Sequence, residues 1–404
     1  MKTILKRTIN PLRFFLNDSR AVGVILLLCT ALSLIISNSV IGASYRNFWN
    51  SEIFSPGSLG FPPSISHWVN DFLMAFFFLL AGMEIKRELV AGELSSVKKA
   101  VLPFGAALGG MVVPALIFLF VNTGTGHSHG WGIPTATDIA FSLGAASLFG
   151  KRVPVGLKIL LMALAIIDDL GAIIVIALFY GSTVHLGFMI GSIVLYALLW
   201  LCNIFKVQYG FLQIALSILL WYALLNAGIE GSIAGVLVAF ATPVRVLPRI
   251  EKKIYRPVNF CIIPLFALAN TAIVVPGNII ESLGSSIAIG VLIGLVVGKP
   301  IGIYLFSRLL VALRIARLPQ NVSWPQILCM GTLAGIGFTM SIFTTSLAYN
   351  EESYRDIAKI AILASMIISV LVSWVNFIVT ERSLAKVARA IRSKTLPSAE
   401  TALG

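Results

Sequence analysis

Two adjacent acidic residues, Asp168 and Asp169, lie inside the otherwise uncharged run from Leu160 to Phe179. About 20 apolar residues span the hydrocarbon core of a bilayer at about 1.5 Å per residue, which places both carboxyl groups near its middle. Neighbours on a helix point about 100° apart, so one carboxyl group could face a central site while the other lines an approach to it. An ionised carboxylate there costs several kcal/mol, so the pair predicts an ion or proton pathway. The alternative is a helix–helix hydrogen bond between protonated acids.

Two further stretches combine hydroxyl groups with helix-breaking residues in apolar surroundings. They contain Pro134, Thr135, Thr137 and Asp138 in 133–144, and Gly331, Gly335, Gly337, Thr339 and Ser341 in 331–341. Non-helical backbone at membrane depth persists only where it is buried in protein or lines a cavity. Two interrupted helices in corresponding places of two halves indicate a transporter site, and we expect them to cross near the midplane. The alternative is two ordinary kinked helices.

A single lysine, Lys299, lies between Gly298 and Pro300 in a long apolar run. It is too deep for easy snorkelling, which is the ordinary explanation of a lysine in such a run. A buried cation could balance Asp168 or the negative C-terminal ends of interrupted helices, as Asp138 could balance the positive N-terminal ends. A desolvated lysine can also lose its proton, so its part in transport stays open.

A dense charge cluster closes the second apolar stretch. It consists of Glu84, Lys86, Arg87 and Glu88. Interface anchors that snorkel would explain it. Because Glu84 lies a turn inside the apolar stretch, a cytoplasmic funnel or regulatory network of opposite charges is an equally good interpretation.

Composition excludes an ordinary soluble domain. The chain has 404 residues, of which 58% are hydrophobic and 12% charged, and its mean hydropathy is +0.94. These values predict an all-α polytopic membrane protein with one transmembrane domain over 21–380. It is flanked by an amphipathic N-terminus over 1–20 and a basic tail over 381–404.

Twelve transmembrane spans are predicted, and the distribution of basic residues orients them. The spans are 21–40, 68–85, 101–121, 133–149, 155–180, 184–202, 209–225, 230–243, 257–275, 285–307, 326–348 and 357–380. Lys and Arg concentrate on alternate loops, which places both termini in the cytoplasm. The net charge of +13 therefore reflects topology, and no nucleic-acid partner is expected.

The outside segment after the first span, about 45–63, contains aromatic residues and the turn dipeptide Pro56-Gly57. This pattern is typical of a β-hairpin that meets a partner or the membrane interface. An irregular interfacial loop is the alternative.

Taken together, these residues resemble the NhaA-type bacterial sodium/proton antiporters. The resemblance rests on Gly82-Met-Glu-Ile-Lys-Arg-Glu-Leu89, Ala136-Thr-Asp-Ile-Ala-Phe141, Ala165-Ile-Ile-Asp-Asp-Leu-Gly171, Gly298-Lys-Pro300 and Gly335-Ile-Gly-Phe-Thr-Met-Ser341. It extends from the first span through the twelfth. One departure is Glu230, which stands where members of the family commonly have a histidine tied to pH response.

The resemblance implies a fold and a set of roles. The fold would contain inverted repeats at about 100–180 and 285–380. Asp168 and Asp169 would bind Na⁺ or Li⁺ and carry protons. Site support and compensation of the helix ends would come from Thr137, Asp138, Lys299, Gly335, Gly337 and Thr339. The pH-responsive region would contain Glu84, Lys86, Arg87, Glu88, Glu251 and Lys252. The protein would be a homodimer joined through the outside hairpin in the bacterial inner membrane, without a cofactor.

The residues themselves support an exchange mechanism. A hard cation needs oxygen ligands such as ionised carboxylates, so sodium and protons would compete for the same atoms. If the site faces one side at a time, this competition couples the two fluxes. An intramembrane prenyltransferase or aspartyl protease would need acidic motifs that are absent, and a channel would need repeated acidic rings. A sodium symporter of an organic anion is the nearest rival.

Overall fold

The computed structural model describes residues 19–53, 60–150, 153–181, 184–205, 207, 209–320 and 322–395. The predicted amphipathic N-terminus over 1–20 therefore lies almost wholly outside the described residues. The helices are α1 Ser19–Ser37, α2 Gly42–Asn50, α3 Ile65–Ala91, α4 Val97–Val121, α5 Ile139–Leu148, α6 Val155–Phe179, α7 Leu186–Ile204, α8 Phe211–Asn226, α9 Ile233–Ala241, α10 Leu247–Pro257, α11 Ile263–Asn270, α12 Ile279–Leu283, α13 Ser286–Ala312, α14 Trp324–Ala334, α15 Phe338–Ala348 and α16 Glu352–Thr395. Within these ranges the protein is almost entirely helical, as expected for an all-α membrane protein.

Six of the described helices are long and apolar enough to cross a membrane: α3, α4, α6, α7, α13 and the 352–382 part of α16. Two bent pairs, α1 with α2 and α14 with α15, raise the number to eight if each pair counts as one span. The other predicted spans correspond to shorter helices. For example, the nine residues of α9 rise only about 14 Å. The number of twelve spans stays a prediction.

The predicted hairpin over 45–63 is wrong for residues 45–50, because these residues are helical. The chain bends by 115° after α1 and enters α2, where Tyr45 and Trp49, one turn apart on the same helix face, make an edge-to-face ring contact. Arg46 stabilises the bend by donating to the Ser37 carbonyl over 2.6 Å. Beyond α2, an isolated antiparallel bridge joins Glu52 and Ser64. The intervening 54–59 lie outside the described residues.

Among the six long helices, α6 and α13 are the most buried. Helix α4 packs against both. It approaches α13 so closely that a side-chain carbon at Gly109 would collide with the Gly302 carbonyl, and one at Gly302 would collide with Gly109. Small residues at this contact let two membrane helices meet backbone to backbone, as expected for helices that associate without a hydrophobic driving force. This contact helps to position α13, which carries Lys299 three residues before Gly302.

Candidate functional site

Two interruptions of the helices meet beside α6. The helical turn Ser128–Thr135 ends before residues 136–138, which are extended, and α5 begins only at Ile139. The second interruption, 335–337, separates α14 from α15 and bends that pair by 50°. The amide of Asp138 donates to the Ile336 carbonyl over 2.7 Å. The non-helical backbone of each interruption is therefore buried against that of the other. Non-helical backbone at membrane depth must be buried in protein or line a cavity.

Hydroxyl groups from each interrupted segment satisfy open carbonyls of the other. Thr137 Oγ1 lies 2.9 Å from the Ala334 carbonyl and Ser142 Oγ donates to the Leu333 carbonyl over 2.9 Å. In return, Ser341 Oγ donates to the Ile133 carbonyl over 2.8 Å. The last carbonyls of a helix have no partner within it, so these bonds replace those that the interruptions remove. Ser142 was missed by sequence reasoning, because a serine on a helix has no distinguishing pattern.

Asp138 caps two helices with one carboxyl group. Its Oδ1 accepts from the amide of Phe141 in the first turn of α5, over 3.0 Å. Its Oδ2 accepts from the amide of Thr339 in the first turn of α15 over 3.1 Å, and from the Thr339 hydroxyl over 2.6 Å. A negative group at two helix N-termini satisfies open amides and opposes the positive ends of both dipoles.

Lys299 is fully buried and contacts one carboxylate and one helix end. Its Nζ lies 2.9 Å from Asp168 Oδ2 and also donates to the Thr135 carbonyl, the last of the helical turn Ser128–Thr135. Both partners proposed for it from the sequence are thus present at once. Each partner reduces the large free energy that an isolated ammonium group would cost in this environment.

Thr137 joins Asp168 to the second interruption. Its Oγ1 lies 2.7 Å from Asp168 Oδ2 and 2.9 Å from the Ala334 carbonyl. A hydroxyl group has one proton to donate, so it serves only one of these acceptors at a time. If Asp168 is ionised, Thr137 can donate to it. If Asp168 carries a proton, it can donate to Thr137, which then donates to Ala334. The geometry suits both protonation states.

Asp169 faces a cavity of about 200 Å³, which Thr137, Asp138, Thr339 and Glu84 also line. Asp169 Oδ1 and Asp168 Oδ1 are both buried without a hydrogen-bond partner. Buried polar atoms are normally satisfied, so two open carboxylate oxygens on adjacent residues have capacity for a proton or a hard cation. Among the described residues, no group of three or more His, Cys, Asp or Glu side chains is placed to hold a metal ion. A cation here would therefore also need neutral oxygens.

Gly335 and Gly337 allow the close approach at the second interruption. A side-chain carbon at Gly335 would collide with the Leu295 carbonyl of α13. One at Gly337 would collide with Ser341 Oγ and lie 2.9 Å from the Ala136 carbonyl. Both positions therefore require glycine for steric reasons.

The charge cluster at the end of α3 lies at the far end of the same cavity. Glu84 and Arg87 line it, and Arg87 pairs with Glu251 of α10. Glu88 lies 3.9 Å from Arg87 Nε. The structure thus brings four of the predicted pH-response residues together, whereas Lys252 is exposed on α10.

Lys86 has a different environment, which the sequence did not indicate. Its Nζ donates to the carbonyls of Phe240 over 2.6 Å and Thr242 over 2.5 Å, at the C-terminus of α9. Tyr255 of α10 lines the same cavity as Glu84 and Asp169. Burial of the Tyr255 hydroxyl, together with the negative charges of Glu84 and Glu251, raises its pKa. Lys86 therefore joins α3 to α9, while its neighbours face the cavity.

Residues 13–377 match the family model described as Na⁺/H⁺ antiporter 1. A Na⁺/H⁺ antiporter NhaA of Cytophaga hutchinsonii is 44% identical over 375 residues, which are 91% of this chain and 95% of the relative. The Na⁺/H⁺ antiporter NhaA of Dechloromonas aromatica is 44% identical over 376 residues, 91% of this chain and 94% of the relative. Among solved structures, the sodium proton antiporter MjNhaP1 of Methanocaldococcus jannaschii is similar with a TM-score of 0.48 and 16% identity, over 91% of this chain and 95% of that one.

Proposed function

The chain belongs to the Na⁺/H⁺ antiporter 1 family, and on that premise we propose that it exports Na⁺ or Li⁺ in exchange for proton entry, with both ions competing for Asp168 and Asp169. One observation carries the proposal. The two adjacent carboxyl groups are buried, each has an oxygen without a partner, and Asp169 faces a cavity. Such oxygens take either a proton or a hard cation, and the two occupants exclude each other.

The two carboxyl groups have different environments and would therefore have different parts in ion binding. The charge of Asp168 is opposed by Lys299 and its carboxylate also contacts the Thr137 hydroxyl, whereas Asp169 has no hydrogen-bond partner at its open oxygen. Sodium arriving through the cavity would meet Asp169 first, with Thr137 and Asp138 able to supply further oxygens. Na⁺ bound there would displace the protons that the carboxyl groups of Asp168 and Asp169 carry, so that binding releases protons from the site.

The finer features of transport follow from this arrangement and from the family. Exchange of more protons than sodium ions per cycle would make transport electrogenic. The contact between Arg87 and Glu251, with Glu84 and Glu88 beside it, would make the cavity mouth responsive to pH. Glu230 replaces the usual histidine, so the pH profile would differ from that of relatives that have one.

The proposed architecture is a single transmembrane domain with twelve spans and both termini in the cytoplasm of a bacterium, in its inner membrane. Residues of about 100–180 and 285–380 would form inverted repeats whose interrupted helices cross near the midplane, which the contact between Asp138 and Ile336 supports. The cavity at Asp169 would open toward the cytoplasm, where Glu84 lies. A homodimer would form through the outside segment that includes the bridge between Glu52 and Ser64.

A direct test uses everted vesicles from cells that lack their own antiporters. An acid interior is established, and recovery of a pH-sensitive dye is recorded on adding Na⁺, Li⁺ or K⁺ over a range of external pH. We expect recovery with Na⁺ and Li⁺ for the parent and its loss in Asp168→Asn and Asp169→Asn. Glu281→Gln, on the short exposed helix α12, is the matched control and should behave as the parent. A well-expressed parent without recovery at any pH would refute the proposal.

A further inference from the structure

Helix α10 has two chemically different faces. Its exposed cations, with one in the turn just before it, recur at positions i, i+4, i+7, i+8 and i+11, which share one face of a helix. These residues, the basic face, are Arg245, Arg249, Lys252, Lys253 and Arg256. Within 245–257 the single acidic residue is Glu251, which lies on the opposite face. The charges of this segment are therefore separated by face.

The face opposite the basic face is occupied by contacts within the protein. Leu247 is buried and packs in a cluster with Met83 of α3. Glu251 pairs with Arg87, and Tyr255 lines the site cavity. These contacts fix the rotation of α10 about its own axis. The basic face therefore points away from the protein, toward whatever surrounds it.

The depth of α10 follows from the pair between Glu251 and Arg87. Arg87 lies two residues, or about 3 Å, beyond the inner end of the predicted span 68–85. At its other end, α10 continues as helix into the predicted span 257–275. The headgroup layer of a bilayer is roughly 5–8 Å thick on each side of the hydrocarbon. In the proposed topology the basic face thus lies at the level of the cytoplasmic headgroups.

The arrangement of these cations by face needs an explanation beyond topology. An excess of Lys and Arg on the cytoplasmic side orients the chain wherever those residues point. Five cations on one outward face instead produce a concentrated positive surface. Clusters of about four to eight basic residues on an amphipathic helix are typical of binding to anionic lipids. Depth favours a lipid over a soluble acidic protein, because headgroups already lie beside this face.

We propose that the basic face of α10 is a binding site for anionic phospholipid headgroups of the surrounding bilayer. Its guanidinium and ammonium groups donate to the phosphate oxygens of the headgroup. A zwitterionic headgroup has the same phosphate but no net charge, so it binds more weakly. The site is separate from the ion site at Asp169, and its tests do not require antiport.

Native mass spectrometry of the full-length protein in detergent tests this site. The protein is titrated with phosphatidylglycerol, which is anionic, or with phosphatidylcholine, which is zwitterionic, and the Kd of the first bound lipid is measured. The test variant is Arg245→Gln/Arg249→Gln/Lys253→Gln. The matched control, Lys98→Gln/Arg314→Gln/Arg317→Gln, removes the same number of exposed charges on the same predicted side of the membrane but outside α10.

We expect the parent to bind phosphatidylglycerol more tightly than phosphatidylcholine. This preference should fall by a factor of about five or more in the test variant, since one basic residue at an anionic surface already contributes about that factor, and it should persist in the control. No preference in the parent, or an equal preference in the two variants, would overturn the proposal. Displacement of phosphatidylglycerol by excess inorganic phosphate would also overturn it, because the site would then bind free phosphate.

A second measurement uses the unaltered protein and so does not depend on the folding of a variant. Lys253 and Lys98, both exposed, are acetylated with limiting acetic anhydride in nanodiscs of phosphatidylcholine with or without phosphatidylglycerol, and mass spectrometry gives the two rates. We expect phosphatidylglycerol to slow acetylation of Lys253 by a factor of about two or more relative to Lys98. An unchanged ratio would overturn lipid binding at this face and favour a soluble acidic partner.

Discussion

Replacing Thr137 by valine removes a hydroxyl group and preserves the shape of the side chain. In the structure this hydroxyl lies 2.7 Å from Asp168 Oδ2, so its loss removes a hydrogen bond that stabilises the ionised carboxylate. Hydrogen bonds to charged groups contribute about 1.5–3 kcal/mol. At about 1.4 kcal/mol per pH unit, the site should hold its proton to a pH about one to two units higher.

The sign of the effect follows from competition. Because a bound proton excludes sodium, Thr137→Val should shift the half-maximal pH of antiport upward and raise the apparent KM for Na⁺ at a fixed pH below that midpoint. Thr137→Ser retains the hydroxyl group and should stay near the parent. Everted vesicles with a pH dye measure both quantities. Identical pH profiles for the valine and serine variants would refute the proposed role of this hydroxyl group.

Three further changes test the contacts around the site. Lys299→Met leaves Asp168 buried without its cation, which should lower the free energy of unfolding by about 3–5 kcal/mol. Thermal unfolding in detergent measures this loss of stability. The double variant Asp168→Asn/Lys299→Met should recover most of it. Asp138→Ala leaves two buried amides unsatisfied, at about 1–3 kcal/mol each, whereas Asp138→Asn retains an acceptor and should unfold at a higher temperature than the alanine variant. The methyl group of Gly335→Ala would collide with the α13 main chain, so this variant should lose folding or transport. Gly144→Ala, with no atom within 4 Å of the added carbon, should be tolerated. Equal behaviour of the two glycine variants would contradict the steric argument.

Residue chemistry predicted the centre of the molecule better than its periphery. Asp168, Asp169 and Lys299 stand out because ionised groups in apolar runs are costly, and that cost restricts where they can lie. The structure places Lys299 in contact with Asp168. It places Asp169 at the wall of a cavity. The interruption near Asp138 was also visible, because proline and hydroxyl residues weaken a helix locally.

Other contacts could not be predicted from the sequence, because they depend on which helices pack together. Nothing local distinguishes Ser142 from a serine on a lipid-facing helix. The bonds of Lys86 to the end of α9 depend on the packing of α3 against α9. In the outside segment the turn dipeptide favoured a hairpin, with an irregular loop as the alternative, yet residues 45–50 are helical and Tyr45 contacts Trp49 one turn later.

The most direct test of the central claim is the release of protons when sodium binds to the purified protein. A dye or electrode in weakly buffered detergent solution records the pH change on adding NaCl, with choline chloride as the ionic-strength control. If Na⁺ and H⁺ share the oxygens of Asp168 and Asp169, protons should appear in an amount that saturates with sodium, and Asp168→Asn and Asp169→Asn should reduce or abolish the release. Sodium binding without proton release would contradict the account.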